Sequence, residues 1–145
     1  MKIRATMAAI GTAAALGLTG TILLPAAAGA GTVTHTLAFT AVQQGQAQFS
    51  ATVGGAEDKD VSKAGKVIGY DVLRFTVNSQ TGTATISVAV GMAGGFVYGV
   101  LPETGGPVTH GTVTGGTGTF AGATGTITAT NKTATRTAVT ITYHT

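Results

Sequence analysis

Apolar and polar side chains alternate with a period of two along most of the chain after its first thirty residues. Runs such as THTLAFTAV, QAQFSATV and TATISVAV show this alternation, and glycine-rich turn signals separate them. This pattern is typical of half-buried strands, and no segment shows the helical period. About eight such strands with short connections predict an all-β domain, either a sandwich or a closed barrel.

Two segments depart from the simple alternation. The stretch GGAEDKDVSKAG, residues 54–65, is the only part of the domain in which charged residues cluster, and we expect it to form a solvated loop. The stretch KVIGYDVLRFTV, residues 66–77, is apolar on both faces of a strand. A strand of that kind is buried on both sides, which a barrel strand packed against a neighbouring subunit would satisfy. The pattern leaves open which face points inward.

The first thirty residues have the composition of a secretory signal peptide. A basic head, MKIR, precedes a long uncharged apolar run, and PAAAGA then offers a small-x-small cleavage site at Ala28 and Ala30. We expect cleavage after Ala30, which divides the chain into a signal peptide, 1–30, and a β domain, 31–145. A retained membrane anchor is the alternative. The cleaved protein would be secreted from a bacterial cell.

Charge and cysteine content exclude several functions. The whole chain carries a net charge of +3, but removal of Lys2 and Arg4 with the signal leaves six basic against five acidic residues. No basic cluster remains, so we expect no nucleic-acid partner and, after cleavage, no membrane. The chain has no cysteine, which excludes disulfides, thiolate metal sites and a cysteine nucleophile.

The glycine-rich stretch GTVTGGTGTFAGATGTITAT, residues 111–130, does not fit a phosphate-binding loop. Gly116 and Gly118 are followed by Gly122, one residue too late for a dinucleotide fingerprint. No lysine follows to contact a phosphate, and the next residues alternate as a strand. The stretch therefore predicts a strand, a glycine turn and a second strand.

The segment VTGGTGTFAGATG, residues 113–125, resembles the signature of the allene oxide cyclase and dirigent proteins. Weaker similarities, in DKD (58–60), GKVIGY (65–70), GGFVYG (94–99) and the closing AVTITYH, extend the resemblance over most of the domain. The chain resembles small secreted actinobacterial barrels of the allene-oxide-cyclase type. The resemblance implies a single antiparallel eight-stranded β-barrel and a homotrimer. It also implies a structural corner made by Gly115, Gly116, Gly118, Phe120, Gly122 and Gly125.

The resemblance further implies a secreted barrel that binds a small apolar metabolite and steers its cyclisation or coupling, as an isomerase or cyclase without a cofactor. The alternative is a non-enzymatic extracellular ligand carrier or surface interaction protein. Family catalytic residues are not carried over, because the first strand has no carboxylate and Thr109 and His110 replace the dirigent Arg-Glu pair. The expected cavity residues are Leu37, Phe39, Tyr70, Leu73, Phe75, Phe96 and Tyr98.

Asp71 is the candidate catalytic residue. The other acids lie in the charged 54–65 segment or, as Glu103, among prolines and glycines at a barrel mouth, whereas Asp71 is in the middle of an apolar strand. A carboxyl group in an apolar lumen has a raised pKa and can act as an acid or a base. Tyr70 and Arg74 are possible partners. We expect no metal. A closed barrel would bring His35 of the first strand near His144 of the last, but two histidines without a third ligand make a poor zinc site.

Overall fold

A computed structural model describes residues 32–145, and in these residues eight antiparallel strands close into one barrel. Each strand pairs with the next along the chain, and the last pairs with the first. This confirms the predicted eight-stranded antiparallel barrel. The predicted signal peptide, 1–30, lies outside the described residues. The strands are β1 Thr34–Ser50, β2 Val53–Val61, β3 Val67–Val77, β4 Ala84–Met92, β5 Gly95–Glu103, β6 Val108–Gly116, β7 Thr124–Thr133 and β8 Arg136–His144.

Strand β2 is formed by the segment that we expected to be a solvated loop, and that prediction is wrong. Its side chains alternate strictly, with Asp58 and Asp60 buried on the inner face and Glu57 and Lys59 directed outward. The charges obscured the period of two, because an inward-facing strand position is normally apolar. Nine residues of strand thus hold most of the acidic groups of the domain.

Strand β1 is longer than predicted because it joins two runs that we expected to be separate strands. It covers 17 residues, and the QQG sequence between the two runs is a shift of register between Gln43 and Gly45 in its pairing with β2. Such a bulge bends a strand without ending it. The bend lets β1 pair with both β2 and β8 and so close the barrel.

One end of the barrel is closed by the segment that links β6 to β7. This segment contains one turn of 3-10 helix, Gly118–Phe120. The ring of Phe120 is 5 % exposed and packs edge-on against Tyr143, with 5.6 Å between ring centroids. Ala123, next to it, is completely buried. The core therefore continues to this end, and any internal space must open at the other.

The closed end depends on glycine at residue 118. Gly118 has a φ of 59°, and a Cβ at this position would overlap the carbonyl oxygen of Gly94. The backbone here is fixed by hydrogen bonds from Thr117 N to Phe96 O (2.8 Å) and from Thr119 N to Gly94 O (2.9 Å). The glycine thus permits both a left-handed conformation and a close approach between two chain segments.

We expect Gly118→Ala to lower the free energy of unfolding by about 3 kcal/mol, from left-handed backbone strain plus steric overlap. Gly105→Ala is the matched control. Gly105 has a φ of 67° but would place its Cβ in open space, so it incurs only the backbone strain, about 1 kcal/mol. Urea denaturation measures both variants. Equal losses would show that the contact with Gly94 is unimportant.

Candidate functional site

The barrel encloses a cavity of about 170 Å³ to which all eight strands contribute side chains. Most of its wall is apolar, formed by residues such as Phe39, Leu73, Val88 and Ile141. Glu103 and other exposed residues border the cavity at the end opposite the Phe120 plug. The cavity is therefore a pocket with one closed end, of a size that suits a single ring: a dry cavity of roughly 150 Å³ binds benzene.

Two aspartates face each other on one wall of this cavity. Asp58 of β2 and Asp71 of β3 are directly paired across the two strands, and both line the cavity. Asp60, two residues along β2, is paired with Gly69. The glycine leaves room for the acid, since a Cβ at Gly69 would lie 3.2 Å from Asp60 Oδ2. The strand register alone thus gathers three carboxyl groups, which we call the aspartate cluster.

The aspartate cluster is buried and has no cationic partner. Asp60 is 0 %, Asp71 3 % and Asp58 9 % exposed. Apart from the contact between the carboxyl groups of Asp60 and Asp71, four of their buried oxygens, including both of Asp60, have no hydrogen-bond partner within residues 32–145. No Lys, Arg or His is among the cavity-lining residues. Buried carboxylates without partners are costly, and such groups usually take up a proton instead.

The pKa values of the cluster reflect this environment. Burial and, to a smaller extent, the negative charges of Asp60 and Asp58 together raise the pKa of Asp71 to about 8. Burial also raises the pKa of Asp60 to about 6, although a side-chain hydrogen bond with Asp71 opposes this rise. Burial raises the pKa of Asp58 as well. Near neutral pH, Asp71 therefore keeps its proton and donates a hydrogen bond to the Asp60 carboxylate.

The cluster can thus both give and accept a proton. Protonated Asp71 can act as a general acid, and Asp58, its neighbour across the strands, can when ionised act as a general base or a stabiliser of positive charge. Thr109, Asn131 and Thr137 are the other polar lining residues. They can orient a ligand by hydrogen bonds but do not titrate near neutral pH.

Of the seven side chains that we expected to line the cavity, three do so. Phe39, Leu73 and Phe75 line it. Leu37 packs against the core but is not in the lining. Tyr70, Phe96 and Tyr98 point outward and are 61 %, 48 % and 38 % exposed, so their assignment to the cavity is corrected. Each alternates with an inward-facing neighbour, as the pleat of a strand requires.

The expected partners of Asp71 are also corrected. Tyr70 and Arg74 are on the outer face of β3, and both are exposed. The groups next to Asp71 are instead Asp58 and Asp60, which sequence reasoning placed in solvent. The signal that could have found them is the spacing of the two acids, two residues apart within a segment that otherwise alternates.

The remaining polar candidates do not form a second centre. Glu103 is at the open end of the cavity and accepts a hydrogen bond from Gly105 N at 2.7 Å. His35 stacks on Tyr143, with ring centroids 5.1 Å apart. No group of His, Asp or Glu within residues 32–145 has the geometry to hold a metal ion. In the same residues no helix has the length and apolarity needed to cross a membrane.

Comparisons with known proteins identify the fold. No protein-family model and no curated protein matches the chain. Among solved structures, a pterocarpan synthase dirigent protein superposes with a TM-score of 0.67 at 15% identity, covering 88% of this chain and 98% of its own. A pyocyanin demethylase gives a TM-score of 0.63 at 16% identity, covering 75% of this chain and 99% of its own.

A Diels-Alderase from Streptomyces koyangensis also superposes, with a TM-score of 0.60 at 10% identity, over 81% of this chain and 71% of its own. Identities this low establish similarity of fold and leave function to be argued from the site. The dirigent proteins and Diels-Alderases share a barrel architecture, and the present chain has the same closed arrangement of eight strands. The chain therefore has the allene oxide cyclase/dirigent-like barrel fold.

Proposed function

We propose that this barrel binds a small, mostly apolar organic molecule and steers its cyclisation or coupling by proton transfer within the aspartate cluster. The observation that carries the proposal is a group of three buried, neighbouring aspartates, two of which line a cavity that fits one ring. The raised pKa of Asp71 supports it. The neighbouring structures of a pterocarpan synthase and Diels-Alderases support it, since those proteins build rings within the same fold.

The proposed chemistry follows from the positions of the two cavity-lining acids. Asp71 donates its proton to a leaving or carbonyl oxygen of the ligand, and Asp58 accepts the proton released by the attacking group. The cluster then has the same total number of protons as before, redistributed between neighbouring carboxyl groups. The apolar wall excludes water and holds the ligand folded, so that one face of the reacting centre is presented to the nucleophile.

A small epoxy alcohol that can close to a tetrahydrofuran is a suitable probe. Its hydroxyl oxygen forms a bond to one epoxide carbon as the bond from that carbon to the epoxide oxygen breaks. Asp71 protonates the departing oxygen, and the hydroxyl proton passes to Asp58. Given racemic epoxide, the barrel should accelerate closure and give an enantiomerically enriched product at partial conversion, measured by chiral gas chromatography. Racemic product at the buffer rate contradicts the proposal.

Blocking the cavity provides an independent test. Ala129 lines the cavity, and Ala129→Phe should fill much of it and reduce closure of the epoxy alcohol by about a hundredfold or more, because misplacing the substrate by 1 Å costs about that much. Ala38→Phe is the matched control, since Ala38 is exposed on the outer face of β1. Equal loss in both variants would place the reaction outside the cavity. Binding of the probe without closure would favour the alternative of a non-enzymatic ligand carrier.

We further propose that the mature protein is exported and forms a homo-oligomer, with a trimer as the first expectation. The outer face of β3 to β5 supports assembly, because it exposes the neighbouring apolar side chains Tyr70, Val72, Phe96 and Tyr98. The rings of Phe96 and Tyr98 stack with centroids 6.3 Å apart. A continuous apolar patch of this kind commonly marks a protein interface.

A further inference from the structure

Acidic residues gather at the cavity of the barrel, whereas basic residues lie outside it. Of the five acidic residues of the chain, Asp58, Asp71 and Glu103 line the cavity, and Asp60 is buried on the same face of β2 as Asp58 without being part of the lining. The six basic residues within 32–145 all lie outside the lining. Only Glu57 among the acids is away from this site, on the outer face of β2.

Within residues 32–145, no cationic side chain lines the cavity to balance the negative charge of its aspartates. The lining residues of β1, β4, β6, β7 and β8 are apolar or uncharged. At the closed end, His35 and Tyr143 stack on each other, and neither lines the cavity. Asp71 Oδ1 and Asp58 Oδ1 are buried beside the cavity and accept no hydrogen bond from residues 32–145. The protein supplies no donor to these two oxygens, and a ligand with N–H groups can supply them.

We infer that the ligand of this cavity is a single-ring organic cation, an apolar ring that carries a protonated amine or amidine held between Asp58 and Asp71. The inference rests on the cavity and the aspartate cluster and goes beyond the proposed reaction: a cation that holds Asp71 in its ionised form occupies the cavity in competition with the neutral substrate of acid catalysis. An ammonium group brings several N–H donors as well as the missing positive charge. The ring fits a wall of aliphatic and phenyl side chains, and the volume leaves room for little more.

The open end of the cavity agrees with a cationic ligand. Glu103 is the charged residue on the rim, and its partner is a backbone N–H group instead of a cation. A carboxylate at the mouth attracts cations and repels anions before they reach the apolar interior. An anionic ligand would meet acids at the mouth and again at the wall, so the cavity selects against it.

Binding of the cation should release a proton. Near neutral pH Asp71 is protonated, because its pKa is raised to about 8, whereas Asp71 contacts an ammonium group best when it is ionised. The ligand therefore displaces the proton of Asp71 into solution. Calorimetric enthalpies measured in two buffers of different ionisation enthalpy give the number of protons released.

The test uses three ligands of similar shape, benzylamine, benzyl alcohol and benzoate, titrated by calorimetry near neutral pH. Benzylamine should bind at least about tenfold more tightly than benzyl alcohol, the value of one charge-assisted hydrogen bond, and benzoate more weakly than both. The Asp58→Asn/Asp71→Asn double variant should lose this preference, and Asp71→Asn alone should lose the proton release. Glu57→Gln is the control and should keep both, since Glu57 faces outward.

Each outcome decides the inference. Benzyl alcohol binding as tightly as benzylamine, no binding of either, or a preference that survives in the double variant overturns it. The outcome is separate from that of the proposed function. If benzylamine binds but the epoxy alcohol does not close, the catalytic proposal is contradicted and the cation site stands. If the epoxy alcohol closes but cations are not preferred, the cation site is contradicted and the catalytic proposal stands. Circular dichroism of each variant establishes that the barrel is folded.

Discussion

Raising the pH from about 5 to about 9 is expected to destabilise this barrel by several kcal/mol, where most proteins hold or gain stability. The folded-state pKa values of Asp71 and Asp60 are raised from 3.8 to about 8 and about 6. Between the unfolded and folded values the native state binds more protons than the unfolded chain, so stability falls as the pH rises. The loss begins near pH 4, is steepest up to about 6 and levels off above about 8.

The size of this effect is set mainly by Asp71. A shift from 3.8 to about 8 corresponds to an upper limit of about 6 kcal/mol at 1.4 kcal/mol per pH unit, a large part of the stability of a domain of this size. Urea denaturation at a series of pH values measures it.

Asp71→Asn should flatten the profile and make the protein more stable than the wild type at about pH 9, because the amide has no charge to bury. Glu57→Gln, on the outer face, should leave the wild-type profile unchanged. A wild-type stability that rises from about pH 5 to about pH 9 would mean that the cluster finds cationic partners in solution.

The strands were predictable from the sequence because most of them obey the rule of apolar inside and polar outside. That rule left a sandwich and a closed barrel both open, and the family resemblance of residues 113–125 was what implied the barrel. The rule fails in β2, where two of the inner positions are Asp58 and Asp60. It fails in part in β3 and β5 too, because Tyr70, Phe96 and Tyr98 are large apolar groups on the outer face. Alternation identifies a strand, but polarity alone does not identify its inner face when the outer face is apolar as well.

The site was predictable only through the one acid that stood in an apolar strand. Asp71 was a clear candidate, since its neighbours Leu73 and Phe75 share its face. Its partners Asp58 and Asp60 were not, because their position depends on the pairing of β2 with β3. Register between strands is a tertiary property, set here by bulges on either side of β2. Departures of this kind from local rules tend to occur at functional sites.

The variant Asp71→Asn is also expected to lose most of its catalytic activity. Asp71→Asn should keep the shape of the cavity but cannot supply a proton, and general acid catalysis is worth about 10²–10⁴-fold in rate. For closure of the epoxy alcohol, kcat should fall by that factor while KM changes by no more than about threefold, since the ligand is bound chiefly by the apolar wall. Glu57→Gln should keep the wild-type kcat.

The pH profile distinguishes this chemical role from a merely structural one. In the wild type, kcat should fall above about pH 8, where Asp71 loses its proton. The residual activity of Asp71→Asn should lack the alkaline limb, because the group that titrates there is gone. If Asp71→Asn instead keeps that limb, or keeps more than about a tenth of the wild-type kcat, the acid is elsewhere and the aspartate cluster serves binding alone.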